Sequence, residues 1–179
     1  GIRGGSATVH FPIWHQEIED IIVLKNNKGT EDNRVRKLDY SIQISKLFYE
    51  RFIKDGDISL FSPHDVPGLY DAFGTDEFDD LYTSYESDGS IPRKTIGAQK
   101  LIMDLLKERA ETGRIYIMNI DHCNSHSSFK DKVNMSNLCQ EITLPTDPLQ
   151  HIDGQGEIAL CILSAVNVGK VKSDDELEN

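Results

Sequence analysis

In the stretch Ser136-Asn137-Leu138-Cys139-Gln140-Glu141-Ile142 an amide, a thiol and a carboxylate recur at every second residue. If the stretch is extended, Asn137, Cys139 and Glu141 fall at i, i+2 and i+4 and share one face, while Leu138 and Ile142 point the other way. An amide can orient a hydroxyl, a carboxylate can take its proton as general base, and a thiol between them can act as nucleophile or redox centre. The competing reading is packing, because a single cysteine in an apolar strand is most often a small buried hydrophobe. Cys161, in Ile158-Ala159-Leu160-Cys161-Ile162-Leu163-Ser164, carries the same two readings. It is either a buried apolar residue or a redox thiol facing Cys139 from a neighbouring strand, at a distance that sequence does not fix.

Asp121, His122, Cys123 and His126 form a third cluster and resemble a fragment of a metal site. The second Cys/His pair of a structural zinc module is missing, so polar loop packing competes with a small metal-binding module. His10, His15, His64 and His151 are scattered without HExxH spacing, and no GxSxG elbow is present. Gly1-Ile2-Arg3-Gly4-Gly5-Ser6-Ala7 has three glycines in its first five residues, which suits a loop whose backbone approaches something closely.

The elements that must position these groups follow from periodicity. Ile18, Ile21 and Ile22 predict a helix over 13–25, closed by the turn residues Asn26-Asn27-Lys28-Gly29. Tyr40, Ile42 and Ile44 alternate with Ser41 and Gln43, which predicts a half-buried strand over 39–44. A helix over 45–54, with Leu47, Phe48 and Phe52 on one side, should stop at Asp55-Gly56-Asp57 before a short strand over 58–61. Residues 62–92 read as an excursion of short helices with Phe73, Phe78, Tyr82 and Tyr85 facing inward. A long helix over 95–112 follows, with Ile102, Leu105, Leu106 and Arg109 aligned, Lys100, Lys107 and Glu108 facing water, and Gly113 as its cap. Then come a strand over 114–120, a polar loop over 121–136, and two further strands over 138–144 and 158–168. The acidic tail over 173–179 reads as the start of another helix. Strands alternating with helices define an α/β class with a largely parallel sheet, in which reactive residues gather at strand ends and the loops after them. No internal boundary is evident along 1–179.

Composition narrows the function. The 179 residues carry 19 Lys+Arg against 30 Asp+Glu, a formal net charge of −11 that opposes nonspecific binding to nucleic acid or anionic lipid. No apolar run reaches the roughly 18 residues of a membrane span, and the first residues lack a signal pattern, so a cytoplasmic protein is expected. Three widely spaced cysteines suit reduced thiols better than a disulfide framework.

Taken together, the segments resemble the large catalytic subunit of class I ribonucleotide reductase. The resemblance is carried by Ile2-Arg3-Gly4-Gly5-Ser6-Ala7-Thr8, Pro12-Ile13-Trp14-His15, Val23-Leu24-Lys25-Asn26-Asn27-Lys28-Gly29 and Leu60-Phe61-Ser62-Pro63-His64-Asp65-Val66-Pro67-Gly68-Leu69-Tyr70. It continues through Glu108-Arg109-Ala110, Thr112-Gly113-Arg114-Ile115-Tyr116, Asp121-His122-Cys123-Asn124, Ser136-Asn137-Leu138-Cys139 and Ile158-Ala159-Leu160-Cys161, in the family's order along nearly the whole chain.

The resemblance implies a portion of a ten-stranded α/β barrel whose interior holds a finger loop. It implies that Cys139 becomes a thiyl radical that abstracts the 3′-hydrogen of a ribonucleoside diphosphate. Asn137 would hydrogen-bond the substrate, and Glu141 would take the 3′-hydroxyl proton as the 2′-hydroxyl leaves as water. Cys161 would be one of two redox thiols, with its mate outside this chain. Arg3, Gly4, Gly5, Ser6 and Ala7 would form the substrate-facing loop that reports the bound effector, and Leu138 and Gln140 would complete the substrate surface with Asn137, Cys139 and Glu141. No metal or cofactor is implied in this segment itself. The implied partners are ATP and deoxynucleotide effectors, the remaining segments of the large subunit, a small subunit with a radical-generating metallocofactor, a thioredoxin or glutaredoxin type reductant, and a second large subunit in a homodimer. The upstream redox cysteine, the substrate phosphate-binding turn and the tail cysteines are not among these residues, so this polypeptide alone is expected to show no turnover. A non-catalytic structural fragment and a metal-binding module using His122, Cys123 and His126 are the competing functions.

Overall fold

The structure, a computed structural model, describes residues 4–30, 32, 34–149, 154 and 156–173. It divides into two compact units, residues 1–146 and 147–179. The first contains the strands β1 (Thr8–Pro12), β2 (Asp39–Ile44), β3 (Asp57–Leu60), β4 (Lys94–Gly97) and β5 (Ile115–Asn119). Its helices are α1 (Ile18–Ile22), α2 (Lys46–Ile53), α3 (Leu69–Ala72), α4 (Phe78–Ser87), α5 (Ala98–Thr112) and α6 (Ile120–Ser125). The α/β class is as expected.

β1, β2 and β5 form a parallel sheet in the order β1-β2-β5, with Phe11 beside Ile42 and Ile42 beside Ile117. β3 and β4 pair antiparallel in a separate ribbon. In a parallel ladder, paired residues share a face. Tyr40, Ile42 and Ile44 therefore point to one side with Phe11, Ile115 and Ile117, while Ser41 and Gln43 point to the other with His10 and Met118. β2 was expected to be half-buried, yet Ser41 and Gln43 are as buried as their apolar neighbours. A central parallel strand is covered on both faces, and here the second cover is a polar one.

The core joins Ile42 and Ile44 to an aromatic cluster of Trp14, Phe48, Phe61, Phe73, Phe78 and Tyr82. Phe48 meets Phe73, Phe78 and Tyr82 with ring centroids 5.4–6.2 Å apart, in edge-to-face or tilted geometry. The Tyr82 hydroxyl donates to the Ser59 carbonyl (2.7 Å) and accepts from the Ser59 N–H (2.9 Å), clipping α4 to β3. Arg51 lies over the Tyr82 ring and grips Glu86 through both guanidinium nitrogens at 2.6 and 2.5 Å. Residues 62–92 are thus built into the main core and are not an excursion from it.

Several elements differ from the periodicity. Only Ile18–Ile22 of the 13–25 segment is helical, because Ile13 N–H bonds to Gln43 O (3.0 Å) and Gln16 N–H to Phe61 O (2.9 Å). These ties to neighbouring strands outweigh local helical preference. Residues 94–97, partly expected in the long helix, pair with β3 instead, where β-branched Thr95 and Ile96 fit the ladder. In α5 the buried face is Leu101, Ile102, Leu105 and Glu108, whereas Leu106 and Arg109 are exposed. Gly113 caps that helix at φ +65, as predicted. Ile120–Ser125 forms α6 inside the expected loop.

Residues 138–144 and 158–168 are not strands: among the described residues no ladder pairs with either, and an unpaired strand leaves its backbone groups unsatisfied. Among its described residues the second unit holds one antiparallel bridge, Asp147 with Glu157, and a 3-10 turn at Val168–Lys170. Its apolar run is open to solvent, with Leu160 83% and Ile162 93% exposed. The expected tail helix lies outside the described residues, apart from its first residue. Among the described residues no helix is long and apolar enough to cross a membrane.

Candidate functional site

Residues 134–142 lie across the polar face of the parallel sheet. Gln43 Nε2 donates to Asn134 O (2.6 Å), His10 Nε2 donates to Ser136 O (3.0 Å), and Thr8 Oγ1 donates to Leu138 O (2.6 Å). The chain thus runs from the C-terminal half of β2 to the first residue of β1. It then turns, and Gln140 returns to the sheet: its Oε1 accepts from Ser41 Oγ (2.5 Å) and its Nε2 donates to Ile117 O (2.8 Å). Ser41 and Gln43 can be buried at alternate strand positions because they bond this segment, Gln43 through the Asn134 carbonyl and Ser41 through the Gln140 carboxamide. They satisfy groups that would otherwise be desolvated without partners.

The turn itself is closed by Gln140 N–H donating to Asn137 O (3.1 Å) and by Ile142 N–H donating to Asn137 Oδ1 (3.1 Å). Ser136 Oγ donates to Ile142 O (2.5 Å). Gln140 has φ +62, a left-handed backbone that costs a residue with a Cβ about 1–2 kcal/mol. This conformation breaks the two-residue alternation, so the expected extended face of Asn137, Cys139 and Glu141 does not form. The three residues are instead consecutive features of a turn. Cys139 and Glu141 are exposed, Leu138 is 37% exposed, and Asn137 is half-buried with its carboxamide oxygen holding the turn. An exposed thiol on a rigidly anchored turn is available to a reactant while its backbone is fixed.

Leading into β1, Gly4, Gly5, Ser6 and Ala7 are exposed, and a Cβ added at Gly4 or Gly5 would meet nothing within 4 Å. Arg3 lies outside the described residues. Ala7 O accepts from Asp39 N–H (2.9 Å), and the next residue is Thr8, whose hydroxyl holds Leu138. The glycine loop and the cysteine turn therefore meet at the N-terminal end of β1. Reactive residues were expected at strand ends and the loops after them; instead the turn crosses the face of the sheet. Thr8, His10, Ser41 and Gln43 were not singled out as its anchors, although polar residues alternating within an apolar central strand were the available signal.

Burial lowers the His10 imidazole below its ordinary 6.5, opposed by its bond to Ser136 O, and Nδ1 is a buried atom without a partner. Cys123, on α6, is half-buried, and burial followed by the nearby Asp121 carboxylate raises its thiol pKa. It lines a cavity of about 330 Å³ with Ile117, Met118, Asn119, Gln140 and Thr143 beside the turn. Asp121 is engaged with the N–H groups of Lys46 (2.7 Å) and His122 (2.8 Å), and the His122 and His126 rings stack edge to face at 5.7 Å. Among the described residues no three His, Cys, Asp or Glu side chains converge as a metal site, so the small metal-binding module is not assembled. Cys161 is exposed in the second unit, and all three cysteines are free thiols. The buried strand position expected for Cys161 is absent because its segment pairs with no strand among the described residues.

The family model for the ribonucleotide reductase barrel domain matches residues 1–179. The chain is 58% identical over 181 residues to the ribonucleoside-diphosphate reductase subunit alpha of Haemophilus influenzae, covering 98% of this chain and 24% of that protein. It is 57% identical over 154 residues to the reductase 1 subunit alpha of Escherichia coli strain K12, covering 83% of this chain and 20% of that protein. The subunit alpha of Enterobacteria phage T4 is 47% identical over 171 residues, or 92% of this chain and 22% of the phage protein. The chain spans about a quarter of the length of these curated relatives. The parallel sheet with its helices is a portion of the α/β barrel, and the chain belongs to the ribonucleotide reductase barrel domain family.

Proposed function

We propose that this chain contributes the radical cysteine and one redox cysteine to a ribonucleoside-diphosphate reductase, with residues 1–179 as one central part of the catalytic barrel. The observation that carries this reading is the exposed Cys139 on a turn anchored across the polar face of a parallel sheet, within a chain of this family.

In this reading Cys139 begins the reaction as a thiyl radical and takes the ribose 3′-hydrogen, becoming a thiol. The Glu141 carboxylate accepts the 3′-hydroxyl proton while the 2′-hydroxyl takes a proton from the redox thiol pair and leaves as water. Cys161 and a second thiol outside this chain supply two electrons and end as a disulfide, after which the 3′-hydrogen returns and the thiyl radical is regenerated. Asn137 holds the substrate hydroxyls, Leu138 and Gln140 frame the turn, and Arg3 with Gly4, Gly5, Ser6 and Ala7 faces the base. A metallocofactor of the small subunit supplies the one-electron oxidation. The further partners are ATP or deoxynucleotide effectors, a thioredoxin or glutaredoxin type reductant and a second large subunit, in the cytoplasm.

The test is Cys139→Ser in the complete large subunit, assayed with its small subunit and a dithiol. Deoxyribonucleoside diphosphate formation should vanish while the ribonucleoside diphosphate still binds; turnover retained by the serine variant overturns the reading.

A further inference from the structure

The geometry points to Gln140 as a positioning residue for Cys139, acting through the sheet. This inference rests on the reductase reading above. Gln140 follows the thiol directly and carries φ +62, a conformation its Cβ disfavours. Such a backbone persists where its surroundings over-determine it. Here the surroundings are specific: the carboxamide bridges two strands, accepting from Ser41 Oγ on β2 (2.5 Å) and donating to Ile117 O on β5 (2.8 Å). Ser41 is fully buried, so the bridge is anchored in the interior. The Gln140 N–H meanwhile closes the turn onto Asn137 O (3.1 Å).

Both ends of the carboxamide are therefore engaged by protein. The side chain acts on the reaction by fixing the backbone that presents Cys139, and its role is distinct from that of a substrate ligand. Hydrogen transfer between sulfur and carbon is sensitive to small displacements, so loosening this bridge should slow chemistry more than it weakens binding.

Four variants of the complete reductase test this, with kcat and KM for a ribonucleoside diphosphate measured beside thermal melting. Gln140→Leu keeps the side chain's bulk without its polar ends; kcat should fall about tenfold and KM stay within about twofold. Ser41→Ala should lower kcat about threefold, and the Ser41→Ala/Gln140→Leu double variant should be no slower than Gln140→Leu, since the bridge acts as a unit. Gln140→Gly adopts the left-handed backbone freely but has no carboxamide, and it too should be slow. Full activity in Gln140→Gly would show that backbone relief alone suffices and overturn the proposal. So would a rise in KM at constant kcat, which marks a substrate contact, or single effects that multiply in the double variant. If Gln140→Leu does not melt cooperatively, Ser41→Ala decides: a lower kcat at unchanged KM supports the bridge, and an unchanged kcat overturns it. Cys139→Ser in the same preparation separates the two failures, because turnover there defeats the reductase reading whatever Gln140 does.

Discussion

On one face of the parallel sheet Ile42 and Ile44 join a continuous apolar core with Trp14, Phe48 and Phe78; on the other, Ser41 and Gln43 are equally buried but spend their polar atoms on residues 134–142, Gln43 on the Asn134 carbonyl and Ser41 on the Gln140 carboxamide. The first face is held by area removed from water and by close packing, which is nondirectional and large in sum. The second is held by hydrogen bonds, each contributing about 1 kcal/mol net but fixing direction closely. Substitutions on the apolar side should therefore move stability, and substitutions on the polar side should move the placement of Cys139 with little change in stability.

Phe48→Ala should give the largest effect, a loss of about 3–5 kcal/mol in denaturant unfolding, because it empties the centre of the aromatic cluster. A loss as small would be found at a surface site would mean that the cluster is not the support of this face. Gly74→Ala comes next: φ is +91, and a Cβ there would lie 2.7 Å from Ile120 Cγ1 and 3.2 Å from Ile120 O. A melting shift equivalent to about 2–3 kcal/mol is expected. Tyr82→Phe strands the Ser59 N–H and carbonyl, for about 2 kcal/mol in the same assay.

Gln43→Met crosses to the polar face. It keeps the bulk but leaves Asn134 O without its donor, so the change in melting should be about 1 kcal/mol while amide exchange over 134–142 accelerates. A larger loss of stability without faster exchange would erase the distinction between the faces. The smallest effect is the pH dependence from His10. Its folded pKa is depressed by burial, so its contribution is present above the unfolded value of about 6.5 and is lost as pH falls through the lower folded value. Wild type should lose slightly more stability than His10→Gln between about pH 7.5 and 5.5, and equal slopes would count against it.

Local signals located the elements whose neighbours agree with them. The bounds of β2 were legible, since Tyr40, Ile42 and Ile44 alternate, although the burial of its polar face was not, and the end of α5 was legible because Gly113 supplies its left-handed cap. Where partners decide, periodicity misled: Ile13 and Gln16 are tied to Gln43 and Phe61, and Ile96 lies beside Ile58. The residue types of the site were legible in Asn137, Cys139 and Glu141, but their arrangement was not. It depends on a left-handed Gln140 and on anchors at Thr8 and Ser41, about 130 and 99 positions away in sequence, and separations of that size leave no local pattern.

The solvent-open run Ile158-Ala159-Leu160-Cys161-Ile162-Leu163 has a colloidal consequence. It contains β-branched and aliphatic residues with neither charge nor proline, the composition that favours intermolecular β-stacking. The net charge of −11 is carried elsewhere in the sequence and gives this run no electrostatic repulsion of its own. Left uncovered, it would make solubility fall with concentration and worsen with added salt, as the remaining long-range repulsion between molecules is screened.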